Sequence, residues 1–502
     1  MTIRHFALPP VLVAVVTVSA YAASAAEAET PPFSGSVTTM HSGVFNGERV
    51  EYTAILDDTI VTNDAGEAAA RLFATSYIRR NVDGAGSRPV IFIWSGGPSA
   101  SSQTLHMAGF GPRRLVVPSD VTAPIGPPYE TEHNEHTLLD VADLVFVDPA
   151  NTGFSRILPA GKEPQLYSAD GDAASIAQFM RTWLAKRDRG DSPAYVLGSS
   201  YGSIRAALVA GLFADSSNPL EGAILFSQGV NLVETTQRSN NVMGYATNLS
   251  QLAAIAWYHG RSGMQDRPVG EVIDEAEAFA MGDYLTALAQ GRFLPDSEKR
   301  AIASTLAKMT GIGADAWLAC DLVMKKTQFR RELLADRGLV VGATDARYTA
   351  PAESETGPAS PTRGVDEVQL EHMRQFLGVT LPKEEYRGFA PGTGNRWDYG
   401  GTSTIDGSEL APDTVRTVFA DFDYPGAIGP AFEANGDFRI MIATGIYDLL
   451  TTVGPARLLA SHPGYPGDRV VLREYAGGHA FYSNPEEFER LADDIRRFIA
   501  RR

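Results

Sequence analysis

Residues 194–202 read AYVLGSSYG, an apolar run that ends in a turn of small residues. A short, wholly apolar run that stops at glycine is typical of a strand buried on both faces of a parallel sheet. The residues that follow, Ser203 to Phe213, carry the pattern of a helix. This stretch therefore predicts a strand, a tight turn and a helix in direct succession, which is the repeating unit of an α/β sheet.

Similar runs recur along the chain. Amphipathic patterns lie between them, such as the apolar stripe at helical spacing from Ile176 to Leu184. Because strands alternate with helices, the sequence favours an α/β fold with a mostly parallel central sheet and right-handed crossovers. The predicted strands are Val50–Val61, Ala69–Arg80, Pro89–Trp94, Leu144–Val147, Ala194–Leu197, Gly222–Phe226, Phe438–Ala443 and Arg469–Leu472.

The character of the sequence changes between residues 233 and 399. Amphipathic helices dominate there, for example Val272–Leu288 and Glu298–Met309, together with a loop rich in proline, serine and glycine at residues 351–364. Because strand-like runs resume afterwards, we interpret this segment as a helical cap inserted into the sheet domain. The predicted organisation is a signal peptide at 1–26, the first part of the core at 27–232, the cap at 233–399 and the second part of the core at 400–502.

The N-terminus resembles a secretory signal. Basic residues precede the apolar run Ala7 to Ala23, and small residues follow it, so we expect cleavage near Ala25 or Ala26. An uncleaved anchor is the alternative, although the run is short for a membrane span and contains two prolines. We therefore expect an exported protein, periplasmic or secreted, that does not contact the membrane after cleavage.

Composition excludes other classes of function. The 502 residues include 43 basic and 60 acidic side chains, a formal net charge of −17, which argues against nucleic-acid binding because phosphates require a positive field. The single cysteine, Cys320, excludes an intramolecular disulfide and any multi-cysteine metal site. Since it follows a helical run, we expect a buried, inert thiol.

Gly198-Ser199-Ser200-Tyr201-Gly202 is a G-x-S-x-G motif between a predicted strand and a predicted helix, the setting of a nucleophile elbow. In such a turn the glycines allow close packing, and the hydroxyl of Ser200 projects above the sheet edge. The helix N-terminus favours negative charge nearby. The alternative is an ordinary turn rich in glycine and serine.

A nucleophilic serine requires a base, and the base requires an orienting acid. Of nine histidines, only His479 lies in a glycine-flanked turn after a late predicted strand, and Asp448 follows the strand before it. Each residue alone has a simpler interpretation, a loop histidine and a helix N-cap. The chain order Ser200, Asp448, His479 is, however, the order expected of an α/β-hydrolase.

Acyl transfer also requires N–H groups directed at the oxyanion. The sequence offers two sources: the backbone of Tyr201, directly after the nucleophile, and the turn Gly96-Gly97-Pro98 after the strand that ends at Trp94. Glycine allows the backbone there to approach a substrate closely. A simple tight turn is the alternative interpretation of the glycine pair.

Together these motifs resemble the serine carboxypeptidase family, the S10-type peptidases, and in particular its bacterial branch. The resemblance runs in order over about residues 45–500. It implies an α/β-hydrolase fold, with Ser200 as nucleophile, His479 as general base, Asp448 as its orienter, and the N–H groups of Gly97 and Tyr201 as the oxyanion hole. It implies no metal and no cofactor. The matching segments are Trp94–Ser99 with Ser101 and Ser102, Gly111-Pro112, Asn134–His136, Leu144–Pro149, Thr152–Ser155, Gly198–Gly202, Gly445–Asp448 and Ala476–His479.

The substrate-binding positions depart from the family pattern. The asparagine before the Gly-Gly-Pro turn is Ser95 here, the glutamate before the nucleophile is Ser199, and the glycine after the proline is Ser99. In the family, the asparagine and the protonated glutamate bind the free carboxylate of a peptide. Ser95, Gly96 and Ser199 are our candidates for substrate binding, but neither serine supplies a carboxyl group that could be protonated.

Three functions follow from these residues. The first is removal of C-terminal residues from peptides through an acyl-enzyme, and the second is cleavage or transfer of small esters on the same triad. The third is a non-catalytic binding protein that keeps the fold.

Other candidate residues have simpler interpretations. His133 and His136 lack a third metal ligand nearby, and Arg205 could meet a substrate carboxylate but is better explained by an internal ion pair. Pocket-lining and packing roles are both open for Tyr482, Trp397 and Tyr399.

Overall fold

The computed structural model describes residues 35–82, 84–379, 385–393, 396–400, 402–403 and 420–501. The predicted signal peptide, residues 1–26, lies outside the described residues.

Strands occupy much of the first and last parts of the described chain. They are β1 (Val37–Phe45), β2 (Glu48–Thr62), β3 (Ala68–Arg79), β4 (Val90–Trp94), β5 (Arg113–Leu115), β6 (Thr131–His133), β7 (Asp143–Val147), β8 (Arg156–Ile157), β9 (Ala194–Ser199), β10 (Gly222–Phe226), β11 (Leu339–Val341), β12 (Thr349–Pro351), β13 (Thr402–Ser403), β14 (Ala420–Asp421), β15 (Arg439–Gly445) and β16 (Val470–Tyr475).

A ten-stranded sheet organises the described residues. Its order is β1-β2-β3-β7-β4-β9-β10-β15-β16, and the short β8 pairs with β3. The pairs from β1 to β7 are antiparallel. Those from β7 through β16 are parallel. The remaining short strands form the pairs β5–β6, β11–β12 and β13–β14.

Helices connect and cover the strands. They are α1 (Gln103–Leu105), α2 (Glu163–Leu166), α3 (Ala169–Lys186), α4 (Tyr201–Phe213), α5 (Leu232–Thr235), α6 (Met243–Ala246), α7 (Leu249–Tyr258), α8 (Val269–Phe279), α9 (Leu285–Gln290), α10 (Asp296–Thr310), α11 (Ala314–Ala319), α12 (Lys326–Glu332), α13 (Val365–Phe376), α14 (Gly429–Ala434), α15 (Val453–Ala460) and α16 (Pro485–Ile499). Two π-helical turns, His106–Phe110 and Ala280–Tyr284, follow α1 and α8.

Both faces of the parallel sheet are buried, because successive side chains of a strand point to opposite faces. In β4, Phe92 and Trp94 join a core packed under α3 and α4. Ile91 and Ile93 join a second core that α16 covers. This double burial explains why the strands are apolar throughout rather than alternating.

Between β10 and β15 the described chain is mainly helical, from α5 to α13. Helices α7, α8 and α10 share a third apolar core, which includes Trp317 and Phe329 and reaches Tyr447 beside the central sheet. The insertion thus contacts the sheet domain next to β15. The exact domain boundaries, 233 and 399, remain a prediction.

The predicted α/β-hydrolase fold with its mostly parallel sheet is confirmed. The eight predicted strands occur in this sheet with ends displaced by at most three residues, whereas β1 was not predicted because its sequence, VTTMHSGVF, lacks a sustained apolar pattern. The helix predicted at 272–288 lies within a continuous helical run from Val269 to Gln290, which the sequence did not show to contain a π-helical turn at Ala280–Tyr284. No described helix has the length and hydropathy that a membrane span requires.

Candidate active site

Ser200 lies in the turn between β9 and α4, where the parallel strands have their carboxyl ends. Its backbone has φ 58° and ψ −128°. Residues other than glycine rarely adopt this backbone conformation, and they are held in it only when their surroundings impose it. The Ser200 N–H donates to the carbonyl of Phe226 at 2.9 Å. The geometry is that of a strained elbow anchored to the neighbouring strand β10.

The glycines of the motif are required by close packing. A Cβ atom on Gly198 would lie 1.9 Å from the carbonyl oxygen of Gly202, and one on Gly202 would lie 2.6 Å from the carbonyl oxygen of Ser95. These distances are far below van der Waals contact, so neither position accepts a side chain without movement of the backbone. Strand β9, helix α4 and the turn after β4 therefore meet with glycine at each contact.

The glycine turn after β4 lies directly against the elbow. A Cβ on Gly96 would be 2.6 Å from Cβ of Ser200 and 2.9 Å from the backbone nitrogen of Tyr201. Tyr201 is the first residue of α4, so its N–H has no acceptor within the helix. Gly97 has φ 113°, a conformation that glycine adopts readily. The two predicted oxyanion donors, Gly97 and Tyr201, are thus on adjoining segments.

His479 and Asp448 are paired. Nδ1 of His479 lies 2.7 Å from Oδ2 of Asp448, which is fully buried in the turn after β15. The hydroxyl of Thr451 donates to the same Oδ2 at 2.6 Å, and the N–H of Leu450 donates to Oδ1 at 2.7 Å. Three donors therefore fix the carboxylate, so that Nδ1 of the imidazole carries the shared proton and Nε2 is left to act as a base.

Opposing effects act on the imidazole. Burial lowers the pKa of His479, and the charge of Asp448 and its hydrogen bond raise it by more, so that the pKa lies above the ordinary 6.5. A group whose pKa lies close to the working pH is suited to general acid–base catalysis. The charge of Asp448 therefore makes His479 a better proton acceptor than burial alone would leave it.

A cavity of about 300 Å³ joins the nucleophile and the base. Ser200 and His479 both line it, as do all the predicted substrate-binding residues and Gly97. Asp448 lies behind His479, away from the cavity wall. The lining residues are Ser95, Gly96, Gly97, Ala100, Thr104, Ser199, Ser200, Thr344, Ser360, Pro361, Thr362, Phe389, Leu450, His479, Ala480 and Tyr482.

The substrate-binding candidates Ser95 and Ser199 are almost fully buried. The hydroxyl oxygen of Ser95 accepts a long hydrogen bond, 3.5 Å, from the N–H of Leu105. Tyr482 interacts through its hydroxyl with the side chain of Ser199, and burial raises the pKa of Tyr482, so that the phenol remains a donor. Tyr482 thus has the pocket-lining role that the sequence left open.

Ser99, a further departure from the family pattern, has φ 61°. A glycine would adopt this left-handed conformation without strain, which is the physical reason for glycine at such a position. Here the hydroxyl of Ser99 lies 2.7 Å from that of Thr393, and the hydrogen bond compensates part of the strain.

The other candidates take structural positions. Nε of Arg205 lies 2.7 Å from Oδ2 of Asp172, and both side chains are buried, so the internal ion pair is confirmed. Trp397 and Tyr399 pack against the ring of Tyr201 and are absent from the cavity lining described above.

The histidine pair and the cysteine are also accounted for. His133 is hydrogen-bonded to the carbonyl of Val44. Within the described ranges there is no group of three or more potential metal ligands. Cys320 is half-buried rather than buried as expected, and burial raises the pKa of its thiol.

Sequence reasoning missed the residues that support the triad. Thr451 binds the carboxylate of Asp448, and the carbonyl of Thr344 accepts the N–H of His479 at 2.5 Å. Thr451 lies only three residues beyond the acid and could have been considered. Thr344 belongs to the helical insertion, and no pattern in the sequence indicates its proximity.

Comparison with known proteins connects this geometry to a family. A family model described as "Serine carboxypeptidase" matches residues 70–262, which include the glycine turn and the elbow but neither Asp448 nor His479. No curated protein matches the sequence.

Among solved structures, the chain is similar to the prohormone-processing carboxypeptidase Kex1 from Saccharomyces cerevisiae, with 12% identity over 88% of this chain and 92% of that one, and a TM-score of 0.43. It is also similar to a Burkholderia cenocepacia protein described as a "putative aryl esterase", with 12% identity over 88% of this chain and 99% of that one, and a TM-score of 0.31. The proline iminopeptidase of Mycobacterium smegmatis is similar with 11% identity over 89% of this chain and 99% of that one, and a TM-score of 0.35. Likenesses this distant carry no functional argument.

Proposed function

We propose that this chain, a serine carboxypeptidase-like hydrolase, removes C-terminal residues from peptides through an acyl-enzyme on Ser200. One observation carries the proposal: a single cavity is lined by a strained elbow serine and by a histidine whose far nitrogen is held by a buried carboxylate. The same cavity is bounded by the glycine turn that faces Tyr201. Nucleophile, base, orienting acid and oxyanion donors are the parts that acyl transfer requires.

The mechanism follows from these positions. Oγ of Ser200 attacks the scissile carbonyl while Nε2 of His479 takes its proton, and Asp448 stabilises the imidazolium that forms. The N–H groups of Gly97 and Tyr201 donate to the oxyanion of the tetrahedral intermediate. His479 then protonates the leaving amine. A water molecule, activated by the same imidazole, hydrolyses the acyl-enzyme and restores Ser200.

Four further expectations complete the proposal and rest on the sequence. The chain belongs to the bacterial branch of the family, and it is exported after removal of residues 1–26, so that it works in the periplasm or outside the cell. Its partners are small peptide or ester substrates rather than nucleic acid or membrane, and it requires no metal or cofactor.

A second function, cleavage or transfer of small esters, is favoured by the cavity wall. Apart from His479, the lining residues are hydroxyl-bearing, apolar or glycine, and none of them is an acid or a basic lysine or arginine. Ser95 and Ser199 offer hydroxyl donors to a carboxylate, but no protonatable carboxyl group. An ester without a free carboxylate does not require such a group.

Fluorophosphonate labelling followed by a substrate panel tests both functions. We expect wild type and Ser42→Ala, which removes an exposed serine on β1, to be labelled equally, and Ser200→Ala to lose both labelling and turnover. Equal turnover by Ser200→Ala would overturn the mechanism. Release of free amino acids from N-blocked dipeptides supports the peptidase, whereas turnover confined to short aryl esters supports the esterase.

The double variant Ser95→Asn, Ser199→Glu separates the two functions further. It restores the side chains that the family uses for the peptide carboxylate. A large gain of peptidase activity over a weak wild-type level would favour the esterase for the natural chain. Unchanged or reduced peptidase activity, from a wild type that already cleaves dipeptides, would favour the peptidase.

A further inference from the structure

Lys326 is a half-buried residue whose ammonium group the mechanism above does not use. It is the first residue of α12 in the helical insertion, and within the described residues no carboxylate lies within salt-bridge distance of it. Nζ instead donates to two carbonyl oxygens, those of Thr235 and Leu450, each at 3.1 Å. Burial lowers the pKa of Lys326 to about 8, so the ammonium is charged at neutral pH and below. Both hydrogen bonds of the ammonium go to carbonyl oxygens rather than to a carboxylate, so its position calls for an explanation.

Leu450 connects this ammonium to the catalytic acid. Its carbonyl accepts from Lys326, and its N–H donates to Oδ1 of Asp448 at 2.7 Å. The turn that carries Asp448 is therefore held on one side by the insertion. A second bond fixes the start of α12, since the N–H of Lys326 donates to Oε1 of Gln237 at 2.6 Å.

The charge of Lys326 also reaches the imidazole. The carboxylate of Asp448 raises the pKa of Lys326, and the ammonium of Lys326 in turn lowers the pKa of His479. On its own element, Lys325 is exposed, and Arg330 donates its Nε to the carbonyl of Val341. The electrostatic partners of Lys326 are therefore the acid and the base of the triad.

We propose that Lys326 is a positioning residue of the triad, supplied by the helical insertion, whose ammonium fixes the turn of Asp448 through Leu450 and places a positive charge beside the acid–base pair. The proposal rests on the proposed function. The charge of Asp448 raises the pKa of His479, and the ammonium of Lys326 opposes part of that effect. The insertion then shapes the catalytic machinery as well as covering the cavity.

The experiment compares Lys326→Met, Lys326→Arg and the matched control Lys325→Met in the full-length protein. In each we measure the titration of His479 by NMR of nitrogen-labelled histidine, assigned with His479→Gln, and the pH profile of fluorophosphonate labelling. We expect Lys326→Met to move the titration and the acid limb upward together, by about 0.5 to 1 pH unit, because a positive charge near the imidazole has been removed. Lys326→Arg and Lys325→Met are expected to keep the wild-type limb.

Coincident titrations of His479 in Lys326→Met and wild type would overturn the proposal. Failure of the proposed function has a different signature, since wild type would then not be labelled at Ser200 at all. In that case the NMR titration still decides the role of Lys326. If Lys326→Met does not fold, Lys326→Gln, which also removes the charge, decides: a raised titration of His479 supports the role of the charge, and a wild-type value contradicts it.

Discussion

The indole Nε1 of Trp94 donates a 2.8 Å hydrogen bond to the carbonyl of Gly202. Trp94 ends strand β4, two residues before Gly96 of the glycine turn, and Gly202 is the second residue of α4, two residues after Ser200. The bond therefore fixes the two segments that carry the oxyanion donors relative to each other. Electrostatic stabilisation of an oxyanion depends on donors held in place before the reaction, and this contact helps to provide that order.

Gly96→Ala is expected to abolish most of the activity while the protein remains folded. The new methyl group would lie 2.6 Å from both the carbonyl oxygen of Ser199 and Cβ of Ser200, so the glycine turn must move away from the elbow. Loss of one oxyanion donor typically lowers kcat by about 10² to 10³. The measurement is kcat for the best substrate of the panel, with circular dichroism to check folding.

Gly270→Ala is the matched control, because nothing lies within 4 Å of a Cβ at that position of α8. It is expected to keep wild-type kcat. If Gly96→Ala also kept wild-type kcat, the glycine turn would have no part in the oxyanion hole.

The strands of the sheet could be predicted because burial on both faces leaves a direct trace in the sequence. β4 and β10 are apolar at every position, and β9 is apolar up to its terminal Gly198-Ser199, so few other structures accommodate these runs. β1 leaves no such trace, since half of its side chains are exposed at the edge of the sheet. The π-helical turn after α8 is equally invisible, because its residues are as amphipathic as those of the helices beside it.

The site shows the same division. Ser200, Asp448 and His479 each follow a recognisable strand, so topology alone indicates that the three lie at one edge of the sheet. Lys326 and Thr344 approach the same edge from the helical insertion, whose path over the sheet depends on tertiary packing. Their roles depend on hydrogen bonds that involve backbone atoms. Because any residue type supplies the same backbone atoms, these bonds leave no pattern in the sequence.

Replacing Arg205 by methionine is expected to destabilise the fold rather than weaken substrate binding. The guanidinium donates to Asp172 at 2.7 Å and to the carbonyl of Ser95 at 3.1 Å, and it is fully buried. Removing one partner of a buried ion pair leaves the other charge uncompensated, at a cost of about 3 to 5 kcal/mol in the free energy of unfolding.

Urea unfolding measures that cost, with Arg331→Met as an exposed control on α12. A normal unfolding free energy combined with a raised KM for peptides would instead assign Arg205 to the substrate carboxylate.

Asp148→Asn is expected to change how stability depends on pH. Asp148 is buried and accepts hydrogen bonds from the N–H and hydroxyl of Ser102; burial raises its pKa from 3.8 to about 6, although those bonds oppose the shift. Because the folded pKa exceeds the unfolded one, the stabilising contribution is complete below pH 3.8 and is lost as pH rises through about 6. A shift of this size corresponds to about 3 kcal/mol.

Unfolding free energies at pH 5 and pH 7.5 test this expectation. Wild type should lose stability between the two values relative to Asp148→Asn, whose amide does not titrate but can still accept from Ser102. If the unfolding free energies of the two proteins changed equally with pH, burial would not raise the pKa of the Asp148 carboxyl group.

Asp448→Asn is expected to have two opposite effects on the pH–rate profile. His479 acts as a base only when neutral, so kcat/KM rises as pH increases through its pKa, which in wild type lies above 6.5 because of Asp448. The variant removes that raising effect and leaves burial, which lowers the pKa, so the acid limb should move to lower pH. At the same time the imidazole loses its orienting acceptor at Nδ1, and kcat should fall by about 10⁴.

A stopped assay with a sensitive ester or peptide substrate measures both the position of the acid limb and kcat. An acid limb that stays in place while kcat falls would mean that Asp448 orients His479 without setting its basicity. A kcat that stays near the wild-type value would mean that another residue is the acid of the triad.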